Sequence, residues 1–225
     1  MTLDGPAPSP PPEPVEGPPT HQLAGAGHYF SENPGGPEQR RTITARVWGS
    51  ELELTTANGV FAGAELDRGT AILLRESAPP QGRVRLLDLG CGYGSIALAV
   101  ATHAAEARVD AVDVNERALA LCRDNARTLG VADRVRVLRP EEVEPDRRYH
   151  AIWSNPPIRI GKQALHDLLL QWLPRLTPDG EARLVVGKNL GADTLQRWLV
   201  EQGYGCERAA SAKGFRVLVV TPATR

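Results

Sequence analysis

Cysteine is scarce in this chain. Its 225 residues include three, Cys91, Cys122 and Cys206, at spacings that match neither a disulfide framework nor a metal-binding cluster. With no metal ligand set and no stapling, the chain reads as cytoplasmic. Long apolar runs are missing too, which excludes a helical membrane span. The N-terminus has neither the basic segment nor the apolar core of a secretion signal. Nor is there a basic excess: 26 Lys and Arg stand against 27 Asp and Glu, a formal net charge of −1. This argues against a general polyanion binder with a basic surface. The balance is uneven, because residues 1–27 carry three acids (Asp4, Glu13, Glu16) and no Lys or Arg. Any nucleic-acid contact must come from a local basic patch in the rest.

What is present divides the chain into three. Residues 1–27 form a tail whose first 20 positions hold eight prolines and almost no large apolar side chain, so it is expected to be disordered. Residues 28–80 form a lead-in. There Ile43, Ala45 and Val47, then Leu52 and Leu54, alternate with polar neighbours around Trp48-Gly49-Ser50, which predicts a β-hairpin. A helix is expected over about 67–75. Residues 81–225 form the main domain, where strands expected at 84–88, 108–113, 134–138, 150–154 and 181–186 alternate with helices. Leu165, Leu168, Leu169, Trp172, Leu173 and Leu176 share the apolar face of one such helix, and Pro178-Asp179-Gly180 is expected to turn into the next strand. Two last strands, near 206–209 and 215–220, flank a short turn and are expected to pair antiparallel. The alternation predicts an α/β fold with a doubly wound, mainly parallel sheet.

Three motifs fall at the carboxyl ends of those strands, where open α/β sheets bind ligands. Asp88-Leu89-Gly90-Cys91-Gly92-Tyr93-Gly94 follows the first strand. Its glycines permit a tight turn and close approach of a ligand. A dinucleotide would bring a pyrophosphate to this loop, where Asp88 repels it, and Ser95 stands where a third glycine is needed. S-adenosyl-L-methionine has no phosphate and carries a sulfonium and an ammonium, which Asp88 favours. Candidate cofactor-binding residues are thus Asp88, Gly90, Cys91, Gly92 and Gly94, with Asp113 and Asn115 after the second strand. Asp113 lies 23 residues beyond Gly90, close to the spacing of a ribose-binding carboxylate. Asn115 is also the expected N-cap of the next helix. Glu141 or Glu142, after the third strand, is either at an adenine edge or in a solvated loop.

The third motif, Asn155-Pro156-Pro157-Ile158, follows the fourth strand. An amino group on a heterocycle is a poor nucleophile, because its lone pair is delocalised into the ring. The Asn155 side-chain oxygen and the Pro156 carbonyl can each accept one N–H and aim the lone pair at a methyl donor. Hydrogen bonds that strengthen as the nitrogen gains positive charge favour the transition state. The prolines, Pro157 included, fix the backbone. Arg159 and Lys162 follow, cations suited to phosphates, and Ile158, Arg159 and Lys162 are the candidate substrate-binding residues. Lys188, Lys213 and Arg216 extend that patch if they fold to the same rim.

With these motifs the chain resembles the methyltransferase small domain family, typified by RsmC-type small-subunit ribosomal RNA guanine-N2 methyltransferases. The resemblance runs from about His28 to the C-terminus and includes Asn58-Gly59-Val60-Phe61 and Leu66-Asp67-Arg68-Gly69-Thr70. It implies a class I, S-adenosylmethionine-dependent methyltransferase with a seven-stranded sheet antiparallel at one end. It also implies an exocyclic amino acceptor, most simply guanine N2 of small-subunit ribosomal RNA, held by Asn155 and Pro156. Two features depart from the family. Bacterial members of the RsmC type carry a second, degenerate domain where this chain has a short lead-in, and many relatives have an aromatic residue where Ile158 stands. A protein glutamine amide or small-molecule amine is the alternative acceptor. A catalytically silent binding module is the other alternative, against which Asp88, Asp113 and Asn155 count.

Overall fold

A computed structural model describes residues 37–60, 65–157 and 161–222. The expected tail, Phe61, Ile158 and Arg159 lie outside the described residues.

Strands β1 (Arg40–Val47) and β2 (Ser50–Ala57) pair antiparallel from Arg40↔Ala57 to Val47↔Ser50, the hairpin that the alternation predicts. Ile43, Ala45, Val47, Leu52 and Leu54 fill its buried face. The two-residue turn needs positive φ at both positions. Gly49 supplies 83° without strain, and Trp48 is held at 48°. Its indole N–H donates to the carbonyls of Leu74 (2.9 Å) and Ser77 (2.8 Å), and its ring meets His103 and Trp153 edge-on. The turn is thereby pinned to helix α1 (Arg68–Arg75), which Asp67 caps through the Thr70 N–H at 3.1 Å.

Seven strands form the main sheet. They are β3 (Arg85–Leu89), β4 (Arg108–Val112), β5 (Val135–Leu138), β6 (Tyr149–Ser154), β7 (Leu176–Gly187), β8 (Gly205–Ala212) and β9 (Phe215–Thr221), in the order β5-β4-β3-β6-β7-β9-β8. Only β9 runs against its neighbours. Strands buried on both faces read as continuous apolar runs, and Leu86–Leu89 of β3, Asp88 included, are all buried. The hairpin, α1, α2 (Ser95–His103) and α3 (Glu116–Thr128) share one core with one face of the sheet. Helices α4 (Lys162–Trp172) and α5 (Ala192–Glu201) close the other face around Leu87, Trp172 and Leu184. The lead-in is therefore packed into the same body as the sheet. Asn125 fastens it: its carboxamide accepts from the Thr55 N–H (2.8 Å) and donates to the carbonyls of Thr55 (2.9 Å) and Tyr93 (3.0 Å).

One expected segment is corrected. Leu173 and Leu176 do not extend α4. Pro174, which has no N–H to continue the helix, sits in a single 3₁₀ turn, and β7 begins already at Leu176. Pro178-Asp179-Gly180 is an irregularity inside β7, where the register steps from Tyr149↔Leu176 to Ala151↔Glu181. A Cβ at Gly180 would lie 3.0 Å from the Tyr149 carbonyl oxygen and 3.1 Å from that of His150, so the irregularity demands glycine.

Candidate active site

The strand order changes direction between β3 and β6: β4 follows β3 on one side, and β6 returns on the other. Such a switch point opens a crevice at the carboxyl ends of the strands. The glycine loop after β3 and the Asn-Pro-Pro turn after β6 are its two walls. A Cβ at Gly90 would lie 3.9 Å from Pro157 Cδ, and the Ser154 hydroxyl donates to the Leu89 carbonyl at 2.6 Å. The first and third motifs therefore meet.

The glycine loop is stitched to the end of β4. The N–H groups of Gly90 and Cys91 donate to the Val112 carbonyl at 2.8 and 3.0 Å. Asp113 accepts from the N–H of Gly92 and of Asn115, both at 2.9 Å. Gly90, Gly92 and Gly94 hold φ of 75°, 56° and 92°, and a Cβ at Gly94 would strike Cys122 Sγ at 2.6 Å. Cys91 is buried, and Cys122 together with burial pushes its thiol up. Its side chain belongs to the core, so only its backbone is offered to a ligand.

Asp88 is fully buried. One carboxylate oxygen accepts the Ala97 N–H at 2.9 Å, and the other has no partner. Burial pushes its pKa up to about 7, the Ala97 N–H opposes the shift, and the charge of Asp113 adds to it. Burial also raises Asp113, against three backbone N–H groups. An orphaned buried oxygen on a carboxylate further burdened by the charge of Asp113 favours a nearby cation.

Asn155 is half-buried. Its Nδ2 donates to Asp67 Oδ1 at 2.6 Å and to Thr70 Oγ1 at 3.1 Å. A carboxylate only accepts, so the NH₂ end of the amide must face Asp67. Oδ1 accepts from no donor among the described residues. Gly69 closes the nest, since a Cβ there would stand 3.1 Å from Asn155 Oδ1.

The model of the methyltransferase small domain matches residues 51–219. The chain belongs to that family. Among family relatives, the uncharacterized protein YbxB of Bacillus subtilis (strain 168) is 30% identical over 194 residues, 85% of this chain and 96% of YbxB. The ribosomal RNA small subunit methyltransferase C of Ectopseudomonas mendocina is 37% identical over 172 residues, 74% of this chain and 50% of that protein. The chain thus spans about half the length of the ribosomal RNA methyltransferases it matches. The Thermus thermophilus 16S rRNA N2 G1207 methyltransferase (RsmC), solved with AdoMet and guanosine, superposes with a TM-score of 0.71 at 22% identity, covering 83% of this chain and 51% of that one. This likeness shows the shared fold.

As a member of the methyltransferase small domain family, the chain is an S-adenosylmethionine-dependent methyltransferase. The donor set fits a cationic cofactor. Asp88 has an unpaired buried oxygen, Asp113 keeps lone pairs beyond its hydrogen bonds to Gly92 and Asn115, and two buried carboxylates disfavour a pyrophosphate.

The fold also places Asn115, Glu141, Glu142 and Lys162. Asn115 is 4% exposed and spends its carboxamide capping α3 through the Ala118 N–H (3.1 Å) and donating to the Gly59 carbonyl (3.1 Å), so it shapes the site from behind. Glu141 and Glu142 both fold onto Arg139, one through its guanidinium and one through its backbone N–H. Their carboxylates are committed to that arginine, which also grips Glu116 at the head of α3. Lys162 is exposed at the first position of α4. The role of Asp67, Gly69 and Thr70 was missed. Their motif was visible, but only the tertiary fold brings α1 against the end of β6, 85 to 88 residues away.

Proposed function

We propose that the chain methylates an exocyclic amino nitrogen of RNA in the cytoplasm, guanine N2 of the small ribosomal subunit in particular. The observation that carries this reading is the Asn155 carboxamide at the end of β6: its NH₂ end is tied to Asp67 and Thr70, and its oxygen accepts from no described residue. Relatives named as ribosomal RNA small subunit methyltransferases support the nucleic-acid acceptor.

S-adenosylmethionine supplies an electrophilic methyl on its sulfonium. The chain's own residues do the rest. Asp88 and Asp113, with the backbone of Gly90, Cys91, Gly92 and Gly94, would hold the cofactor at the β3–β4 side. Asn155 Oδ1 and the Pro156 carbonyl each accept one N–H of the acceptor and turn its lone pair toward the methyl. As the nitrogen gains positive charge both contacts strengthen, which lowers the barrier rather than only the binding energy. The amide is already oriented before substrate arrives, so little reorganisation is left for the reaction. The alkylated nitrogen is acidic enough to release its proton to water, and no strong base is required.

The test is nucleoside mass analysis of ribosomal RNA with and without the gene, followed by restoration in vitro. Loss of N2-methylguanosine from small-subunit RNA supports the reading. An unchanged nucleoside profile together with methylation of a protein amide would replace it.

A further inference from the structure

Lysine is the rarest cation in this chain. Of 26 basic residues, only Lys162, Lys188 and Lys213 are lysine, and the others are arginine. All three lie at the end of the sheet that carries Asn155. Lys162 opens α4, the helix that follows the Asn-Pro-Pro turn, and Lys188 follows the last residue of β7. Lys213 sits in the turn between β8 and β9. The antiparallel pairing Gly187↔Phe215 brings that turn against Lys188, whose N–H donates to the Gly214 carbonyl at 2.7 Å. The three therefore fan out from Asn155 across the ends of β6, β7 and β9, away from the glycine loop and Asp113.

Their state differs from that of the arginines held in ion pairs. Each lysine is exposed, and none forms an ion pair with a described residue, whereas Arg139, Arg147, Arg208 and Arg216 are held by acids. Acids on the lysine side are already engaged. Asp193 pairs with Arg208 and Arg216, Asp167 accepts from Gln163, and Asp67 holds Asn155. Glu65, exposed ahead of α1, pairs with none of the three.

Lys213 adds an independent observation. It holds φ at 46° and Gly214 at 83°, the double positive φ of a tight hairpin turn, where asparagine or glycine fits the first position at less cost. A side chain with a β-carbon there costs about 1 kcal/mol. Strain kept at a solvent-exposed tip points to use of the side chain rather than of the turn.

We infer that Lys162, Lys188 and Lys213 form a phosphate-binding rim that carries the backbone of the acceptor RNA across the β6–β7–β9 side of the mouth. The inference rests on the reading of the acceptor as RNA. Ammonium groups on flexible stems act as movable point charges and suit the uneven spacing of phosphates in an unpaired strand. An arginine already paired to a protein carboxylate offers no such charge. The rim also gives a chain of net charge −1 a local set of exposed cations beside the reacting group with which to address a polyanion.

The experiment is fluorescence anisotropy with a labelled 24-nucleotide RNA stem-loop of guanine-containing loop, at saturating S-adenosylhomocysteine, over 50–300 mM KCl. Each Lys→Ala is expected to lower the slope of log K against log salt by about 0.7, which corresponds to roughly fivefold weaker binding at 0.1 M salt and about 100-fold for the triple variant. Triple Lys→Arg should keep the slope, and Arg83→Ala with Arg108→Ala, at the opposite end of the sheet, should leave it unchanged. Melting temperatures of all variants should agree with wild type. A wild-type slope in the triple Lys→Ala variant overturns the rim, as does competition by polyglutamate equal to that by unlabelled RNA, which would make the partner an acidic protein. Lysine-dependent RNA binding without methyl transfer to ribosomal RNA would sink the proposed reaction and leave the rim standing. No RNA binding by the wild-type chain would overturn the rim, whatever acceptor the enzyme then proves to use.

Discussion

The side chain of Asn155 donates to Asp67 across a separation of 88 residues, at 2.6 Å. A carboxylate cannot donate, so this contact fixes which end of the amide faces Asp67. If Asn155 Oδ1 receives the acceptor N–H, Asn155→Ala should lower kcat by roughly 10²–10³, the cost of losing one positioned polar group. Cofactor affinity should stay within about threefold. Methyl transfer to small-subunit ribosomal RNA under saturating cofactor reads the first quantity and calorimetry with S-adenosylhomocysteine the second. Wild-type turnover in Asn155→Ala would reduce the motif to a turn.

Asp67→Asn separates orientation from contact. Asparagine still caps α1, but its amide no longer dictates which way Asn155 faces. Turnover should fall about tenfold, the scale of one charge-assisted hydrogen bond, with KM for cofactor nearly unchanged. In an Asn155→Ala background the same substitution should have no further effect on the residual single-turnover rate. Full additivity of the two would mean that Asp67 acts only as a helix cap.

Gly69→Ala gives a sharper split. Alanine is the better helix former by up to about 1 kcal/mol, and Gly69 does not use a positive φ. Stability should hold or rise. The new Cβ would stand 3.1 Å from both Asn155 Oδ1 and Asp67 Oδ1, so the amide must shift by tenths of an ångström. Displacements of that kind are costly when reactants are held in line, and turnover should fall several-fold. A stabilised variant with full turnover would show that the amide has room to move.

The sheet was legible in the sequence because each strand and helix carries its own period and punctuation. Trp48-Gly49 marks the hairpin turn, Asn115 the cap of α3, and the short link before Phe215 the antiparallel pair. The segment after Trp172 was not legible, because Leu173 and Leu176 continue the helical spacing of α4 while Pro174 and pairing with Tyr149 decide otherwise. In the site, Asp88, Asp113 and Asn155 announce themselves by standing at strand ends. The Asp67–Asn155 contact could not be read, since local pattern gives Asp67 only its role as an N-cap. The commitment of Glu141 and Glu142 to Arg139 was equally hidden, because which partner a surface acid takes is settled by loop geometry.

Asp113→Ala should behave oppositely to Asn155→Ala. The lost carboxylate is also the acceptor for the Gly92 N–H, so the glycine loop loses an anchor along with a cofactor contact. Affinity for S-adenosylhomocysteine should weaken by at least about tenfold, while the rate at saturating cofactor changes less. Unaltered affinity would remove Asp113 from the cofactor site.

Asp88 joins cofactor binding to pH. Its carboxyl titrates near 7 in the fold against 3.8 in an open chain, because burial disfavours the charge. Between those values the folded protein holds a proton that the unfolded chain has released. Unfolding then releases a proton, so stability falls as pH rises through this window, and the cost is complete above about pH 7. Asp88→Asn removes the buried charge and keeps the shape. In the absence of cofactor its melting temperature should exceed wild type by at least about 5 °C at pH 8, and the gap should narrow as pH falls toward 5. The gain comes with a loss. A cationic ligand near Asp88 favours the ionised carboxylate, so S-adenosylmethionine should stabilise wild type more at pH 8 than at pH 6 and should barely stabilise Asp88→Asn. Scanning fluorimetry of both proteins at the three pH values, with and without cofactor, reads every term. An Asp88→Asn protein less stable than wild type at pH 8, or one that binds S-adenosylmethionine as tightly, would show that the buried carboxylate is not held in reserve for a cation.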